Sequence, residues 1–201
     1  MIELKKCCEV PFPEKLFEQF EIKENVIYAN VNASKVLGIM KYFIKMHREP
    51  LFFILEIPRK KQDIPDGTAR NPNNDNDVYF IDGLDSRNAC RCLDMLGDFL
   101  IKDGLNTFGI GCHESHEEIL FGNYNIMTVY AQNPKKYIRL MKRFHIEQTD
   151  ALITVWDTFD QEHPGKSRRY DSEETGKNIY DIPEAFKKYG MYLYKPDDIT
   201  A

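Results

Sequence analysis

The sequence predicts an α+β fold built from strand–helix–strand units. In several segments apolar residues recur at the three- and four-residue spacing of a helix, and short apolar runs typical of strands stand on either side of them. The chain has 201 residues, of which 42% are hydrophobic, and this is enough to bury a substantial core. We therefore expect helices packed on a mixed or antiparallel sheet.

The first unit shows the pattern most clearly. Residues 25–31, NVIYANV, predict a strand, and residues 32–47 follow with apolar side chains close to helical spacing. Asn32 or Ser34 is suited to cap this helix. Residues 51–58, LFFILEIP, are almost wholly apolar, which is typical of a central strand buried on both faces.

Three further units of the same order follow. Gly104 is well placed to end the helix of the second unit, and Pro134 stands at the first helical position of the third, where its missing N–H does no harm. In addition, EEILF turns through GNYN into the next strand as a hairpin. The predicted strand, helix and strand of these units are 77–83, 86–104 and 106–112; 125–131, 133–147 and 151–159; and 178–182, 183–190 and 191–194.

The spacing of the units indicates internal repetition. Comparable strand positions are Val26, Val78, Val129 and Ile179, at intervals of 52, 51 and 50 residues. Two neighbouring units form β-α-β-β-α-β, the ferredoxin-like arrangement. We therefore predict two ferredoxin-like halves, residues 1–118 and 119–201. The alternative is one larger α+β sheet in which both halves pack as a continuous domain.

Composition and charge exclude several classes of function. A net charge of −5 and an isoelectric point near 5.6 provide no broad basic surface for a phosphate backbone, so we expect no nucleic-acid partner. The N-terminus has no apolar run before a cleavage site, and no segment approaches the length of a membrane span. The five cysteines suit neither a disulfide framework nor paired zinc knuckles. We expect a cytoplasmic protein with reduced thiols.

Residues 108–125, FGIGCHESHEEILFGNYN, concentrate groups that can bind metals or act as acids and bases. His113 and His116 stand three residues apart, one short of the HExxH spacing that brings two imidazoles to one zinc ion. A Cys/His/Glu metal site remains an alternative, with Cys112, His113, His116 and either Glu117 or Glu118 as ligands. However, Ser115 and Glu118 match the capping box, which favours a short turn or corner after the strand.

Other motif-like patterns are incomplete. Gly109 and Gly111 form G-x-G near the end of a strand, but no third glycine and no following helix complete a dinucleotide loop. Asn73, Asp75 and Asp77 alternate like the first ligands of an EF-hand, but the glycine and the glutamate that the loop requires are absent. The sequence therefore predicts no cofactor.

Residues 155–171 are the best candidate for recognition of a partner protein. This segment combines the single tryptophan with arginines and carboxylates, and aromatic and arginine side chains are enriched among interface hot spots. Two polar loops, 59–77 and 160–169, are further candidates. The opposing interpretation is that Trp156 belongs to the core and that the arginines form ordinary ion pairs. The candidate residues in this segment are Trp156, Asp157, Asp160, Glu162, His163, Arg168 and Arg169.

In general character the chain resembles the immunity proteins of bacterial toxin systems. The resemblance lies in its size, its mild acidity, its predicted α+β fold and its lack of a catalytic motif. It implies a non-catalytic cytoplasmic protein that neutralises one cognate toxin by occluding the active site of the toxin. The resemblance further implies that carboxylates face a basic toxin surface, where complementary charge speeds encounter. These carboxylates are Asp157, Asp160, Glu162, Glu117 and Glu118.

Two other functions remain open at this point. The first is a metal-dependent hydrolase that uses Cys112, His113, His116 and Glu117. The second is binding of a small ligand in a cleft between two repeated halves, which an apolar pocket there would favour.

Overall fold

A computed structural model describes residues 2–60 and 76–195, and within these ranges the fold is α+β. The α-helices are α1 Val36–Met46, α2 Ser86–Lys102, α3 Ile138–Arg143 and α4 Ile182–Phe186. The strands are β1 Cys8–Glu9, β2 Gln19–Lys23, β3 Val26–Asn30, β4 Leu51–Pro58, β5 Asn76–Leu84, β6 Thr107–Cys112, β7 Glu117–Phe121, β8 Ile126–Tyr130, β9 Glu147–Gln148, β10 Lys166–Ser167 and β11 Tyr192–Leu193.

Nine of these strands form one mixed sheet in the order β11-β5-β4-β6-β7-β8-β3-β2-β9. All neighbouring strands in it are antiparallel except β2 and β9, which are parallel. β1 and β10 pair separately. At the centre of the sheet, β6, β7 and β8 are consecutive in sequence and adjacent in space, because short turns join these antiparallel neighbours.

One face of the sheet carries the main hydrophobic core. Along β4 the side chains of Leu51, Phe53 and Leu55 point into this core, because alternate residues of a strand face the same side. Helices α1 and α2 pack on this face and against each other, α1 over β6 and β7 and α2 over β4 and β5. Asp85 caps α2 by accepting a hydrogen bond from the backbone N–H of Asn88 at 2.6 Å. We call this side the helix face.

The opposite side, here called the open face, is partly covered by two chain segments. Ile27 and Ala29 of β3 point to the helix face, so Asn30 points to the open face. The Asn30 amide donates to the carbonyl oxygens of Phe17 and Ile153 and so holds both segments against the sheet. Beneath them lies a smaller apolar cluster formed by Ile2, Cys8, Leu16, Tyr124 and Val155.

The first two predicted units are confirmed, whereas two later strand predictions are wrong. Residues 155–158 and 179–181 form short 3-10 helices instead of lying in the strands predicted at 151–159 and 178–182. Each turn begins with a capping box, Thr154 with Asp157 and Asn178 with Asp181. These local side-chain hydrogen bonds satisfy backbone groups that a strand would have to pair with a neighbour. The helix predicted at 133–147 is also shorter, with a 3-10 turn at Pro134–Tyr137 before α3.

The strand order differs from that of two ferredoxin-like halves. In such a half the first strand lies between the third and the fourth, whereas β3 pairs with β2 and β8. Strands from both predicted halves share the sheet, since β8 and β9 pair with β3 and β2, and β11 pairs with β5. The predicted boundary after residue 118 falls inside β7. This arrangement matches the alternative of one larger sheet, and division into two folding units remains a prediction.

Residues 61–75, which include most of the predicted loop 59–77, lie outside the described residues. Within residues 2–60 and 76–195, no helix combines the length and the apolar character needed to cross a bilayer.

Candidate functional site

Three large apolar side chains are exposed on the two chain segments that cover part of the open face. Phe17, Ile153 and Trp156 are 58%, 49% and 56% exposed, and we call them the Trp156 patch. Asn30 brings two of them together, because its amide nitrogen lies 3.3 Å from the carbonyl oxygen of Phe17 and 2.8 Å from that of Ile153. An ordered group of exposed apolar side chains is typical of a protein-interaction surface.

The 3-10 turn Val155–Thr158 presents Trp156 to solvent. Val155 and Thr158 are buried on its inner side, so the tryptophan between them points outward. The indole rests edge-on against the rings of Tyr124 and Phe159, with centroids 5.1 Å and 5.4 Å away. The interpretation of Trp156 as a core residue of a strand is therefore wrong, because the capping box of Thr154 turns the chain at this point.

The other candidates in residues 155–171 are exposed, and most make local contacts. Hydrogen bonds from the backbone and the hydroxyl of Thr154 hold the pKa of Asp157 below its ordinary value. Asp160 accepts backbone hydrogen bonds from Glu162 and His163 and pairs with the His163 ring at 3.0 Å. The arginines form the ordinary ion pairs of the opposing interpretation, Arg168 with Glu9 at 3.7 Å and Arg169 with Asp171 at 2.9 Å.

Residues 112–118 span the end of β6, a turn and the start of β7, and this arrangement separates the groups that the metal-site hypothesis brings together. Cys112 is buried, with its Sγ 3.2 Å from the carbonyl oxygen of Arg48. His113 and His116 are exposed, and His116 has a positive φ of 52°. Within the part of the chain that the structure describes, no group of three or more His, Cys, Asp or Glu side chains is placed to hold a metal ion.

The sequence interpretation of this segment as a turn is confirmed, but its capping box is not present. Residues 113–116 form a four-residue turn, and β7 begins directly after it at Glu117. The Ser115 hydroxyl is buried and has no hydrogen-bond partner among the described residues. No helix therefore starts at Ser115, and the chain reverses here as a hairpin.

Glu117 points to the helix face and belongs to a buried polar network. Its side chain is 2% exposed, and its carboxylate accepts a hydrogen bond from the Tyr137 hydroxyl at 3.0 Å and lies 2.9 Å from His47 Nε2. The Lys136 ammonium pairs with the same oxygen. Burial alone would raise the pKa of Glu117, but the hydrogen bonds from Lys136, His47 and Tyr137 bring it below its ordinary value. Glu117 is therefore not part of any partner-facing surface.

Glu118, the next residue, points to the open face and borders an aromatic groove. We define the aromatic groove by Phe52, Phe80, Tyr192, Tyr194, Asp82 and Glu118, which enclose a cavity of about 330 Å³. His113 and His116 lie at its rim. The cavity is at the small end of the range for ligand pockets, of a size suited to one side chain or a compact ligand.

A glycine lies beneath the Phe52 ring, which lines the aromatic groove. In the sheet, Gly111 pairs with Phe52 on one side and with Glu118 on the other. A Cβ at position 111 would lie 2.0 Å from the Phe52 ring, so only glycine allows this ring to lie across β6. The G-x-G pattern thus reflects close approach within the sheet and not a dinucleotide loop.

The carboxylates of the groove differ in their partners. The Asp82 carboxylate lies 2.8 Å from His113 Nε2 and also accepts a hydrogen bond from the Tyr192 hydroxyl. The Glu118 carboxylate forms no hydrogen bond and no ion pair with any residue in the described ranges, and burial raises its pKa. Glu56, another open-face carboxylate, has a pKa raised by burial and by the nearby charge of Glu118.

Sequence reasoning identified Trp156, Glu118 and His113 but missed the side chains that complete both surfaces. Phe17 and the groove aromatics come from segments that only the tertiary structure brings together. One local signal was present, because two alternate glycines on one face of a strand indicate that another group approaches closely.

Comparison with known proteins returned no match. No protein-family model matches the chain, and neither a curated protein nor a solved structure matches it. The Trp156 patch and the aromatic groove are therefore the basis on which a function has to be proposed.

Proposed function

We propose that this protein is a non-catalytic protein-binding module whose partner docks on the Trp156 patch. In its fuller form, the proposal is that of a cytoplasmic immunity protein that occludes the active site of a cognate toxin. The observation that carries the proposal is the exposure of Phe17, Ile153 and Trp156 on two chain segments that Asn30 holds together. Burying such apolar area against a partner is favourable by about 25 cal/mol for each Å².

The surroundings of the patch fit a hot spot of an interface. Trp156 is supported by Tyr124 and Phe159, so it can bury apolar area without losing much side-chain freedom on binding. Asp157 and Asp160 are exposed nearby along the chain and add negative charge that suits a basic partner. Both carboxylates belong to the set for which the resemblance implied this role.

The hydrolase alternative has no comparable support. Its four residues are divided among the core, the turn and the buried Glu117 network, and a shared metal or a nucleophile–base pair would require them to converge. Binding in a cleft between two repeated halves also lacks support, because both halves contribute strands to one sheet.

The test measures the affinity for the toxin domain encoded by a gene adjacent to that of this protein. Trp156→Ala and Phe17→Ala should each weaken binding by roughly 30-fold or more, the effect of losing a hot-spot side chain. Met95→Ala is the matched control, because Met95 is also a large apolar side chain, 44% exposed, but lies on α2. Unchanged affinity in both patch variants, with unfolding curves like those of the parent protein, would refute the proposed docking site.

Sedimentation of the protein alone provides a second readout. If the protein is a dimer that Trp156→Ala converts to a monomer, a second copy of this chain occupies the patch and the toxin assignment fails. A monomer before and after the substitution leaves the patch free for a different protein, as proposed.

A further inference from the structure

The walls of the aromatic groove are rings from three strands and the residue that follows the last of them. Phe80 lies at the centre, with ring centroids 5.6 Å from Phe52, 6.3 Å from Tyr192 and 5.6 Å from Tyr194. The negative faces of such rings attract cations within about 6 Å. Together they form an apolar recess that presents several aromatic rings.

The charges that border the recess are negative. Glu118 and Asp82 contribute carboxylates, and within the described ranges no lysine or arginine lines the groove. Glu118 stands across Gly111 from Phe52, and because glycine has no side chain, the Phe52 ring extends over Gly111 along this row of the sheet. Phe52 and Glu118 both line the cavity, so a cation held in it could contact a π face and a carboxylate at the same time.

Glu118 is a partly buried carboxylate without a cation. It lacks an ion pair and a hydrogen bond within the described residues, although desolvating a carboxylate without compensation is costly. Glu117, its neighbour in sequence, shows the usual solution, since three donors surround it. A ligand that supplies a positive charge to Glu118 would remove this cost.

We propose that the aromatic groove binds the guanidinium group of an arginine side chain presented by a partner protein. A guanidinium group stacks on aromatic rings through its flat face and donates paired hydrogen bonds to a carboxylate through its edge. It is also more weakly hydrated than an ammonium group and so enters an apolar recess at lower cost. The claim that a partner protein supplies the arginine rests on the proposed protein-binding function. The claim that the groove binds a guanidinium group does not.

The experiment uses short peptides and the intact protein, so it requires no knowledge of the partner. The probe is a labelled Gly-Ser peptide with one central arginine, compared with peptides that carry lysine, citrulline or glutamate at that position. Citrulline has nearly the same shape as arginine but no charge. The arginine peptide should bind at least about tenfold more tightly than the other three, because only arginine combines charge, planarity and paired donors. Amide chemical-shift changes should map to β4, β5, β7 and β11.

Two substitutions locate the site. Glu118→Gln keeps the shape of the side chain and removes its charge, and it should weaken binding of the arginine peptide about tenfold. Glu174→Gln is the matched control, because it makes the same change at an exposed position in the turn at residues 173–175, and it should leave binding unchanged. An unfolding curve for Glu118→Gln at least as stable as that of the parent protein shows that the loss of binding does not come from misfolding.

Several outcomes would overturn the inference. Equal binding of the arginine and citrulline peptides would show that the groove does not require a positive charge. Tighter binding of the lysine peptide would show that the groove does not select a guanidinium group. Chemical-shift changes away from the groove, or unchanged binding in Glu118→Gln, would show that the arginine peptide does not bind in the aromatic groove. A dimer that Glu118→Gln dissociates would assign the groove to a second copy of the chain.

The failure of this inference is distinguishable from failure of the proposed function. If Trp156→Ala weakens the partner complex and Glu118→Gln does not, the protein-binding function stands and the assignment of the groove to that partner is overturned. If the arginine peptide binds as expected but no patch variant affects the complex, the chemistry of the groove stands and the proposed docking site is overturned.

Discussion

Glu117 and Glu118 are neighbours in sequence, but their carboxylates lie on opposite faces of the sheet and in opposite electrostatic situations. Glu117 is buried among Lys136, His47 and Tyr137, which lower its pKa, whereas Glu118 borders the aromatic groove with no cationic partner among residues 2–60 and 76–195, and burial raises its pKa. The alternation of side chains along β7 is the cause. One carboxylate therefore stabilises the fold, and the other is available to a ligand.

Removal of the Glu117 side chain should strongly destabilise the protein. Glu117→Ala leaves the half-buried Lys136 ammonium and the buried Tyr137 hydroxyl and His47 ring without their acceptor, and each buried polar group left unpaired costs about 1 to 3 kcal/mol. Urea unfolding at pH 7 measures the change. Glu114→Ala, an exposed carboxylate in the turn before β7, is the control and should change the free energy of unfolding little.

The same substitution should matter less in acid. A carboxyl group whose pKa is lower in the folded state contributes stability above its unfolded pKa, near 4.5, and this contribution is lost as the pH falls through the folded value. The difference between parent protein and Glu117→Ala should therefore shrink below about pH 4. A difference that stays constant from pH 7 to pH 3 would contradict the lowered pKa.

For Glu118 the expected sign is the opposite. Its raised pKa means that the folded protein holds the proton more tightly than the unfolded chain, so stability falls as the pH rises through the folded value. Glu118→Gln should therefore increase the free energy of unfolding at pH 7, and this gain should disappear in acid, where the parent residue is itself neutral. Unfolding at pH 7 and pH 4 tests this, with Glu162→Gln as control. A loss of stability at pH 7 would show that Glu118 has a partner.

Lys5 should make stability rise with pH in the alkaline range. Burial lowers the pKa of Lys5 from 10.5 to about 8, and its ammonium donates to the Asn106 carbonyl at 3.0 Å. Between these two values the unfolded chain binds more protons than the folded protein, so the free energy of unfolding increases as the pH rises. The two values differ by 10.5 − 8 = 2.5, which corresponds to about 3 kcal/mol.

The substitution Lys5→Met isolates this effect. The variant should be more stable than the parent protein at pH 7, by less than about 3 kcal/mol because one hydrogen bond is lost, and the advantage should decline between pH 8 and pH 10. Lys6→Met changes the adjacent exposed lysine and should show no such dependence. If Lys5→Met is less stable at pH 7, the hydrogen bond outweighs the buried charge and the prediction fails.

Gly111→Ala should destabilise the protein and close the aromatic groove. The new methyl group would lie 2.0 Å from the Phe52 ring, and overpacking of this kind costs about 1 to 3 kcal/mol. The control is the same substitution in a Phe52→Ala background, where the obstructing ring is absent. Strong non-additivity of the two changes in urea unfolding is expected. Additive effects would mean that Phe52 does not lie over Gly111.

Trp156 fluorescence should report a solvated indole in the free protein. It is the only tryptophan, so the emission has a single source. With 56% of the residue exposed, we expect emission near that of tryptophan in water and efficient quenching by acrylamide. Addition of the partner should shift the emission to shorter wavelength and reduce quenching. Emission at short wavelength with weak quenching in the free protein would place Trp156 in the core.

The first two strand–helix–strand units could be predicted because their signals are local. Each of the helices α1 and α2 buries one stripe of apolar side chains, and the strands β4 and β6 bury nearly continuous runs. Both patterns can be recognised from residues that are close in sequence. Residues 151–159 and 178–182 have apolar runs of similar appearance. There the capping boxes at Thr154 and Asn178 decide the conformation, because a hydrogen bond within three residues forms without any pairing strand.

The two surfaces depend on contacts that sequence spacing does not contain. Asn30 reaches Phe17 over 13 residues and Ile153 over 123, and this pair of hydrogen bonds holds the two segments of the Trp156 patch against the sheet. The aromatic groove needs the register in which Phe52, Gly111 and Glu118 form one row across β4, β6 and β7. A shift of one residue in that register would exchange Glu118 with Glu117.

By itself, the sequence determined the α+β class, the positions of α1, α2 and the central strands, the turn at residues 113–116 and the importance of Trp156 as a candidate. These features follow from hydrophobic periodicity, turn residues and composition, all of which act locally. Only the tertiary structure decided the strand order, the exposure of Trp156 and the opposite roles of Glu117 and Glu118. These depend on which face of the shared sheet each side chain occupies, and pairing between strands distant in sequence sets that face.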